Sequence, residues 1–270
     1  MSAVKKEMHP KHKPPYLVHS DTFRMFGLIR DRYTKSDGQQ DLSRLHFDYL
    51  CEKLGEDNLV LPSFNYDFPK EKTFDLLKTP SQVGSLTNYV IENSLLKRTT
   101  TPIFSFLTNI AELLTENNSP FSRGSVFDRM YQMDGTIIFY GTKIDSCTYL
   151  HFVEDQFGPP LYRYQKEFAG QLVDGQSTRE VKVEFHVRPM GLDLDYNWDK
   201  LNQLLIDGNV VATLAKGCFA VKVRDISRVW GDFFKKNQFE ILSAETKDSV
   251  LGKYQNIGRR FIKSDFEVSQ

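Results

Sequence analysis

The sequence predicts an α/β protein, a single compact domain with a mixed central sheet flanked by helices and an antiparallel C-terminal subregion. Residues 135–140, Gly-Thr-Ile-Ile-Phe-Tyr, form an apolar, β-branched and aromatic run typical of a buried strand, and helix signals follow it. Residues 180–187 alternate polar and apolar side chains, which is typical of an antiparallel strand with one buried face. No internal repeat or low-complexity linker divides the 270 residues, a length that can bury a substantial core.

The beginning of the chain predicts a tail, a strand and a helix. Residues 1–13 are basic and polar, and we expect them to form a mobile tail. A short strand over residues 15–19 ends in the polar turn His19-Ser20-Asp21, and a helix is expected over residues 22–32. A strand that runs into a helix N-terminus is a natural anion site, although a plain capped turn explains the same pattern.

The middle of the chain alternates helix and strand signals. Apolar stripes predict helices over residues 41–54 and 81–94, and Ser125 is expected to cap a third helix over residues 126–133. A strand over residues 58–62 leads into an aromatic loop that carries Asn65 and Tyr66, a composition typical of ligand clefts in α/β proteins.

The C-terminal part predicts two further helices and a strand region. The helices are expected over residues 197–206 and 225–237, with a strand-like region containing Gly217 between them. Residues after Lys247 are expected to be loosely attached. The predicted organisation is therefore a tail (1–13), one main domain (14–247) and a C-terminal extension (248–270).

Composition limits the classes of function. Lys and Arg total 35 and Asp and Glu total 35, so the chain lacks the basic excess typical of nucleic-acid-binding proteins. No apolar run is long enough to span a bilayer and no secretory signal is evident, so we expect no membrane partner and a cytoplasmic location. Cys51, Cys147 and Cys218 are widely spaced and no histidine has a partner at ligand spacing, so no metal site is expected.

A histidine and a carboxylate follow the 135–140 strand at helical spacing. Thr148 is a good N-cap residue, and a helix beginning there places His151 and Glu154 one turn apart on one face. The helix dipole disfavours imidazolium whereas a neighbouring carboxylate favours it, so the ring could be neutral near pH 7 and act as a base. An ordinary hydrogen bond explains the same spacing, and both interpretations stay open.

Short motifs occur in order along the chain, and each alone is weak. They are His19-Ser20, Leu61-Pro62-Ser63-Phe64-Asn65-Tyr66, Thr79-Pro80-Ser81-x-x-Gly84, Arg98-x-x-x-Pro102-x-x-Ser105, Gly124-Ser125, Gly141 and Thr148-x-x-His151-x-x-Glu154. Their order and approximate spacing are more specific. Over residues 19–242 the chain resembles the aminoglycoside 3-N-acetyltransferase family of CoA-dependent N-acyltransferases.

The resemblance implies an α/β fold without a phosphate P-loop, in which acyl-CoA and a small-molecule amine meet in a central cleft. It implies that His151 is the general base, that Glu154 orients its ring, and that Thr148 completes the catalytic cluster, with its hydroxyl or nearby backbone N–H groups stabilising the oxyanion. Direct transfer leaves Cys147 without a role. The residues expected to hold acyl-CoA are His19, Ser20, Asp21, Ser81, Arg98 and Ser105.

The charge pattern bears on the acceptor amine. Aminoglycosides are polycations, and a site that attracts them is expected to be surrounded by carboxylates, whereas this chain is neutral overall. Arginines suit an acceptor that carries phosphate. We therefore expect an amino sugar linked to a nucleotide. The residues expected to contact it are Asn65, Tyr66, Arg123 and Arg163.

Two alternatives remain at this stage. One is a true aminoglycoside 3-N-acetyltransferase that modifies antibiotics, which predicts an acidic acceptor cleft. The other is a catalytically inactive binding module of the same fold, although the intact His151 and Glu154 argue against it. The acyl group is left open, as is assembly into a homo-oligomer.

Overall fold

Two β-sheets organise the chain in the computed structural model, which describes residues 13–33 and 39–267. The strands of these residues are β1 (Tyr16–Ser20), β2 (Leu59–Pro62), β3 (Thr73–Asp75), β4 (Lys97–Arg98), β5 (Phe106–Thr108), β6 (Thr136–Tyr140), β7 (Tyr164–Asp174), β8 (Ser177–Val187), β9 (Ala212–Ala215) and β10 (Cys218–Lys222). The larger sheet has the order β4-β5-β2-β1-β6-β10-β9, and the smaller has the order β3-β7-β8.

Helices pack around the larger sheet. The α-helices of the described residues are α1 (Gln39–Leu54), α2 (Phe68–Glu71), α3 (Ser85–Glu92), α4 (Val126–Gln132), α5 (Tyr149–Gln156), α6 (Trp198–Asp207), α7 (Val223–Lys236) and α8 (Ala244–Ile257). None of these helices is long and apolar enough to cross a membrane.

The predicted mixed sheet is confirmed, and β1 lies at its centre. This strand is parallel to β2 on one side and to β6 on the other, whereas β4, β5, β9 and β10 extend the sheet with antiparallel pairing. Successive β1 residues face opposite sides, with Leu17 in one hydrophobic cluster and Val18 in the other. The chain leaves β1 towards β2 on one side, and after the neighbouring parallel strand β6 it continues to β9 and β10 on the other side. The carboxyl ends of β1 and β6 therefore form a topological switch point, the usual position of a ligand crevice in such sheets.

The predicted antiparallel subregion is also confirmed. Strands β7 and β8 pair over their whole length, from Tyr164 opposite Val187 to Asp174 opposite Ser177, and form a long hairpin. Alternate β8 residues such as Val181 and Val183 are buried. The hairpin joins the core through β3, which is parallel to β7.

The helix expected over residues 22–32 is not formed. Two short 3-10 turns occupy this stretch, Phe26–Leu28 and Arg30–Arg32. Met25 and Ile29 of this stretch are nonetheless buried. Without a regular helix, the anion site expected from a helix N-terminus after β1 loses its physical basis.

The C-terminal region packs against the core rather than hanging loosely from it, so that expectation is wrong. Helix α8 crosses the expected boundary at Lys247. Val250 and Phe261 lie in the larger hydrophobic cluster, and the Phe261 backbone N–H donates to the Leu161 carbonyl at 3.3 Å. The tail expected over residues 1–13 lies almost wholly outside the described residues.

Replacing Phe261 tests this packing. Its side chain is 1% exposed and contacts the rings of Tyr254 and Phe266. We expect Phe261→Ala to lower the free energy of unfolding by about 3–5 kcal/mol in a urea titration. The neighbouring control Ile262→Ala, at a side chain 47% exposed, should change it by less than about 0.5 kcal/mol. Equal effects of the two substitutions would show that the C-terminal region is loosely held.

Candidate active site

Helix α5 carries the His151 and Glu154 pair and is anchored by its apolar face. The chain leaves β6 through Gly141, whose φ is +80° and where a Cβ atom would lie 2.5 Å from the Asp21 carbonyl oxygen, so only glycine fits. A 3-10 turn (Ile144–Ser146) then leads into α5. The buried α5 residues are Tyr149, Leu150, Phe152, Val153 and Glu154. This anchoring leaves His151 facing a pocket.

Thr148 occupies the N-cap position but does not cap the helix through its side chain. Its backbone is helical, with φ −62° and ψ −19°, and its hydroxyl accepts no hydrogen bond from the first turn. The helix ends at Gln156, and Gly158 adopts a left-handed φ of +96°. The helix thus ends just before the Gly158-Pro159-Pro160 run, since proline cannot continue it. The expected capping bond of Thr148 is absent.

Glu154 is a buried carboxylate with several donors around it. His151 Nδ1 lies 3.0 Å from Oε2. The hydroxyl groups of Tyr162 and Tyr196 both donate to Oε1, at 2.5 and 2.8 Å. Arg163 Nε lies 3.5 Å from Oε2, within ion-pair distance but beyond a good hydrogen bond. An ionised carboxylate can only accept, so the arrangement is suited to the charged form of Glu154.

Electrostatics keep Glu154 ionised and His151 neutral. Burial alone would raise the pKa of Glu154, but the Arg163 charge and the hydrogen bonds from His151 and Tyr162 lower it to about 2. Desolvation lowers the pKa of His151 below its usual value, against the opposing effect of the Glu154 hydrogen bond. Since the ionised carboxylate can only accept a hydrogen bond, His151 Nδ1 carries the proton and donates the hydrogen bond to Glu154, and Nε2 retains a lone pair. The imidazole can therefore act as a base.

His151 lies in the wall of an open pocket of about 490 Å³. Its side chain is 28% exposed, and its ring meets Phe121 edge-on with centroids 5.1 Å apart. The pocket wall is mainly aromatic and basic, and none of its described residues is Asp or Glu. It is lined by Tyr66, Pro69, Ile103, Phe104, Phe121, His151, Arg163, Tyr164, Lys166, Phe168, Phe185, His186, Val187, Arg188 and Met190.

The pocket brings together only some of the residues expected to contact the acceptor. Tyr66 and Arg163 lie in its wall with His151. The Asn65 amide instead donates to the Pro80 carbonyl at 3.0 Å, and its oxygen accepts from the Asp67 backbone. Arg123 does not line this pocket. The geometry therefore places Asn65 in loop structure, and a role for it or Arg123 in acceptor binding stays a prediction.

Arg98 and Ser105 form a separate buried cluster at the end of β2. Arg98 Nε donates to the hydroxyls of Ser63 and Ser105, at 3.2 and 3.1 Å, and Nη2 donates to the Ser63 carbonyl at 2.6 Å. Nη1 donates to the Thr79 carbonyl at 2.5 Å. Desolvation lowers the pKa of Arg98 to about 10. The guanidinium is occupied by this loop network, and its assignment to acyl-CoA stays a prediction.

Ser81 orders the loop before α3. Its hydroxyl accepts from the Thr87 hydroxyl at 2.9 Å and from the Val83 backbone N–H at 3.2 Å. Its own backbone N–H donates to Asn88 Oδ1 at 2.7 Å. A Cβ at Gly84, in the same loop, would lie 3.9 Å from the Ser20 carbonyl. The loop therefore lies beside the turn that ends β1.

The turn at residues 19–21 lies at the switch point of the sheet. The His19 ring is buried and stacks on Phe139, and its Nε2 has no hydrogen-bond partner among the described residues. Burial lowers the pKa of His19 to about 4, so the ring is neutral. Asp21 Oδ1 accepts from the Arg24 backbone N–H at 3.1 Å and thus caps the following turn. A neutral imidazole and a carboxylate suit a polar, uncharged part of acyl-CoA, such as pantetheine, better than its phosphates.

Cysteine and metal chemistry have little basis in this site. All three cysteines are unpaired thiols, and burial raises the pKa of the Cys147 thiol to about 12, so it is not a ready nucleophile. Among residues 13–33 and 39–267, no group of three or more His, Cys, Asp or Glu side chains could hold a metal ion.

Sequence reasoning missed several members of the site. Tyr162 lies in the Leu-Tyr-Arg-Tyr run beside Arg163, so its closeness to the helix was a usable signal. Tyr196 lies 42 residues from Glu154 and carries no local signal. His186 is a polar member of the alternating β8 strand, and it lines the pocket with its Nδ1 3.4 Å from Asp155 Oδ1.

A model of the aminoglycoside 3-N-acetyltransferase family matches residues 47–229 of the chain. The chain belongs to this family. It is therefore an acyl-CoA-dependent N-acetyltransferase whose co-substrate is acetyl-CoA. Comparison with curated protein sequences gives no match.

Solved structures share the fold at low sequence identity. The chain is similar to a histidine-to-alanine mutant of aminoglycoside acetyltransferase AAC(3)-IVa in complex with a gentamicin (19% identity, 86% of each chain, TM-score 0.63). It is also similar to AAC-IIIb in its binary complex with CoASH (14%, 83% of this chain and 90% of that one, TM-score 0.64). A third similar structure is the YokD protein of Bacillus subtilis (14%, 84% and 88%, TM-score 0.61).

The acetyltransferase site predicts a specific dependence of stability on pH. The folded pKa of Glu154 is about 2, against an ordinary value of 4.5. Its ionisation therefore stabilises the native state above pH 4.5, and this contribution is lost as the pH falls towards 2. Urea unfolding of wild type and Glu154→Gln should show a stability difference that is largest above pH 5 and shrinks in acid. A difference independent of pH would contradict the ionised state.

Proposed function

We propose that the protein transfers the acetyl group of acetyl-CoA to the amine of a small molecule, with His151 as the general base. The observation that carries this proposal is the 3.0 Å contact between His151 Nδ1 and the ionised Glu154, which leaves Nε2 to face the pocket. A neutral amine loses one proton as it attacks a thioester, and a neutral imidazole at the pocket wall can accept that proton.

The proposed reaction needs no group beyond these residues and the two substrates. The amine nitrogen attacks the acetyl carbonyl carbon, and His151 Nε2 accepts the proton that the nitrogen loses. The new C–N bond is kept as the C–S bond breaks, and the departing thiolate takes the proton from the imidazolium to give free CoA. Glu154 stabilises the imidazolium between these proton transfers.

The Thr148 hydroxyl is the proposed donor to the oxyanion. The backbone N–H groups of Thr148, Leu150 and His151 donate to the carbonyls of Ser146, Cys147 and Thr148, at 3.0, 3.2 and 3.1 Å. These donors are therefore already used in the first turn of α5. The hydroxyl makes no capping bond within the helix and can turn towards a substrate oxygen.

Pantetheine is proposed to lie at the carboxyl end of β1, against the His19-Ser20-Asp21 turn. The unpartnered Nε2 of His19 supports this placement because a buried polar atom needs a hydrogen-bond partner, which a pantetheine amide would supply. The close approach at Gly141 keeps β6 next to the turn, and Thr142 Oγ1 donates to the His19 carbonyl at 3.3 Å.

Aminoglycosides are the acceptors that the family membership favours. The similar AAC(3)-IVa structure contains a gentamicin, and another similar structure, of AAC-VIa, contains sisomicin. This supports antibiotic N-acetylation better than it supports a nucleotide-linked acceptor. Both acceptors would use the same base, so the choice between them depends on the pocket wall.

A nucleotide-linked amino sugar is the second candidate, and the charge of the pocket wall favours it. Three of the basic wall residues are balanced by acidic residues behind them: Arg163 by Glu154, Lys166 by Glu267, and His186 by Asp155. Arg188 is exposed and has no acidic partner among the described residues. A polycation gains nothing from this wall, whereas an acceptor phosphate would pair with Arg188.

A thiol-release assay decides between these acceptors. Acetyl-CoA would be supplied with gentamicin-like aminoglycosides in one panel and nucleotide-linked amino sugars in the other. Release with aminoglycosides alone would establish antibiotic modification, and release with nucleotide-linked sugars alone would establish the second candidate. No release with either panel, under conditions where the protein is folded and binds CoA, would contradict the proposed acetyl transfer.

Replacing His151 tests the base. We expect His151→Ala to lower kcat by about 10²–10⁴-fold, because the amine then loses its proton to solvent only. Cys147→Ala should keep kcat within about twofold, since no thiol intermediate is formed. A His151→Ala enzyme with full turnover would remove the base assignment, and an inactive but folded Cys147→Ala enzyme would point to a covalent route.

Replacing Arg188 tests the charge of the pocket wall. We expect Arg188→Ala to raise KM for a nucleotide-linked amino sugar by about tenfold, with little effect on KM for an aminoglycoside, since one charge-assisted hydrogen bond is lost. Arg179→Ala is the matched control, because Arg179 lies on β8, is exposed and pairs with Glu116 outside the pocket. Equal effects of the two substitutions would rule out a specific phosphate contact at Arg188.

A further inference from the structure

The Tyr196 hydroxyl lies between the Arg163 guanidinium and the base pair. Its oxygen is 2.5 Å from Arg163 Nη2, 2.8 Å from Glu154 Oε1 and 3.3 Å from His151 Nδ1. Tyr196 is 9% exposed and is not part of the pocket wall. It therefore contacts the groups that hold the base without reaching the space where substrates would bind.

The hydrogen atoms of this cluster can be assigned from chemistry. A guanidinium only donates, so the Tyr196 oxygen accepts from Arg163. An ionised carboxylate only accepts, so the single hydroxyl hydrogen of Tyr196 goes to Glu154. His151 Nδ1–H then donates to Glu154, with the Tyr196 oxygen as a second, longer acceptor. Tyr196 thus favours the tautomer that leaves His151 Nε2 unprotonated.

Tyr196 also keeps Arg163 from donating a direct hydrogen bond to Glu154, although the two charges stay within ion-pair distance. Arg163 Nε is 3.5 Å from Glu154 Oε2 and has no hydrogen-bond partner among the described residues. The remaining contact of this guanidinium with the β8 end is long, 3.4 Å from Nη1 to the His186 carbonyl. Without the Tyr196 oxygen, the nearest strong acceptor for Arg163 is the carboxylate oxygen that His151 uses.

Backbone pairing fixes the position of Tyr196. The residue forms an antiparallel bridge with Leu242. On either side of the bridge, the Asn197 N–H donates to the Ile241 carbonyl at 2.8 Å and the Ser243 N–H donates to the Asp195 carbonyl at 2.9 Å. Its ring packs edge-on against Trp198. A hydroxyl held this firmly can act as a spacer between two charges.

We propose that Tyr196 is a positioning residue for the base: it holds Arg163 at ion-pair distance, short of a direct hydrogen bond to Glu154, so that Oε2 of the carboxylate stays available to His151. The inference rests on the proposed role of His151. It concerns a side chain that touches no substrate, so its effect should appear in turnover and in the titration of the base rather than in substrate binding.

The titration of His151 should change in a defined direction. The titratable groups that act on its ring are Glu154 on α5, Arg163 before β7 and Tyr196 before α6. Tyr162 acts through Glu154, to which its hydroxyl donates. Lys166, His186 and Arg188 share the pocket wall and are unchanged by the substitution. In Tyr196→Phe, Arg163 closes on Glu154 and replaces a neutral donor with a charged one, so imidazolium is less favoured and the pKa of His151 falls.

The experiment compares Tyr196→Phe with two other tyrosine variants of the full chain. We expect Tyr196→Phe to lower kcat by about 10–100-fold with both KM values within about twofold, because the base is weaker and misplaced. The acid limb of its kcat/KM profile should move to lower pH. Tyr162→Phe removes a donor from the same carboxylate oxygen but frees no cation, so its acid limb should stay or move upward. Tyr149→Phe, whose hydroxyl contacts Ser227 at 2.8 Å, should behave as wild type.

The outcomes separate this inference from the proposed function. If His151→Ala is inactive while folded Tyr196→Phe matches wild type in kcat and pH profile, the positioning role is wrong and the base assignment stands. A second readout does not depend on the variant folding. In wild-type protein labelled with ¹⁵N-histidine, His151 should be protonated at Nδ1, and an Nε2–H tautomer would overturn the hydrogen-bond assignment and the inference with it.

Discussion

The buried carboxylate of Glu154 is the constraint around which the C-terminal half of the chain is arranged. A carboxylate 1% exposed is stable only if charge and hydrogen bonds replace the lost water. Those partners come from three segments of the chain. His151 lies on the same helix, Tyr162 and Arg163 precede β7, and Tyr196 precedes α6. The Tyr196 segment is in turn paired with residues 241–243, so the packing of the C-terminal region supports the site.

Arg98 is a second buried charge, and its hydrogen-bond partners differ from those of Glu154. Its guanidinium is held by two carbonyls and two hydroxyls and lies over the Phe74 ring, in a cluster that ties β2, β4 and the 79–81 loop together. It lines a groove of about 640 Å³ at the β4 edge that shares no lining residue with the His151 pocket. The two charges differ in their neighbours. Glu154 holds His151, a partly exposed side chain that can exchange a proton, whereas Arg98 holds only carbonyls and hydroxyls.

Local sequence patterns predicted β6 and α5, the elements that position His151, the proposed base. They did not predict Tyr196, which reaches the site through tertiary contacts. The apolar run of β6 and the i, i+3 spacing of His151 and Glu154 placed both side chains on one face of α5, as observed. The 22–32 stretch was wrongly predicted as a helix because the polar turn before it offers a cap residue, whereas its backbone forms two short 3-10 turns. Tyr196 reaches Glu154 only through tertiary pairing with Leu242, which leaves no periodic signal in the sequence.

Different residues hold His151, the proposed base, and shape the acceptor pocket. Arg163 belongs to both groups. Family membership concerns the acetyl transfer, for which we propose the His151 and Glu154 pair, and it does not by itself fix the molecule that carries the amine. Much of the pocket wall comes from the β7–β8 hairpin, where the Phe168 and Phe185 rings stack on each other. Changes there or at Arg188 can alter the acceptor while the base stays intact. A change at Arg163 would alter both, because its guanidinium lines the pocket and also neutralises Glu154.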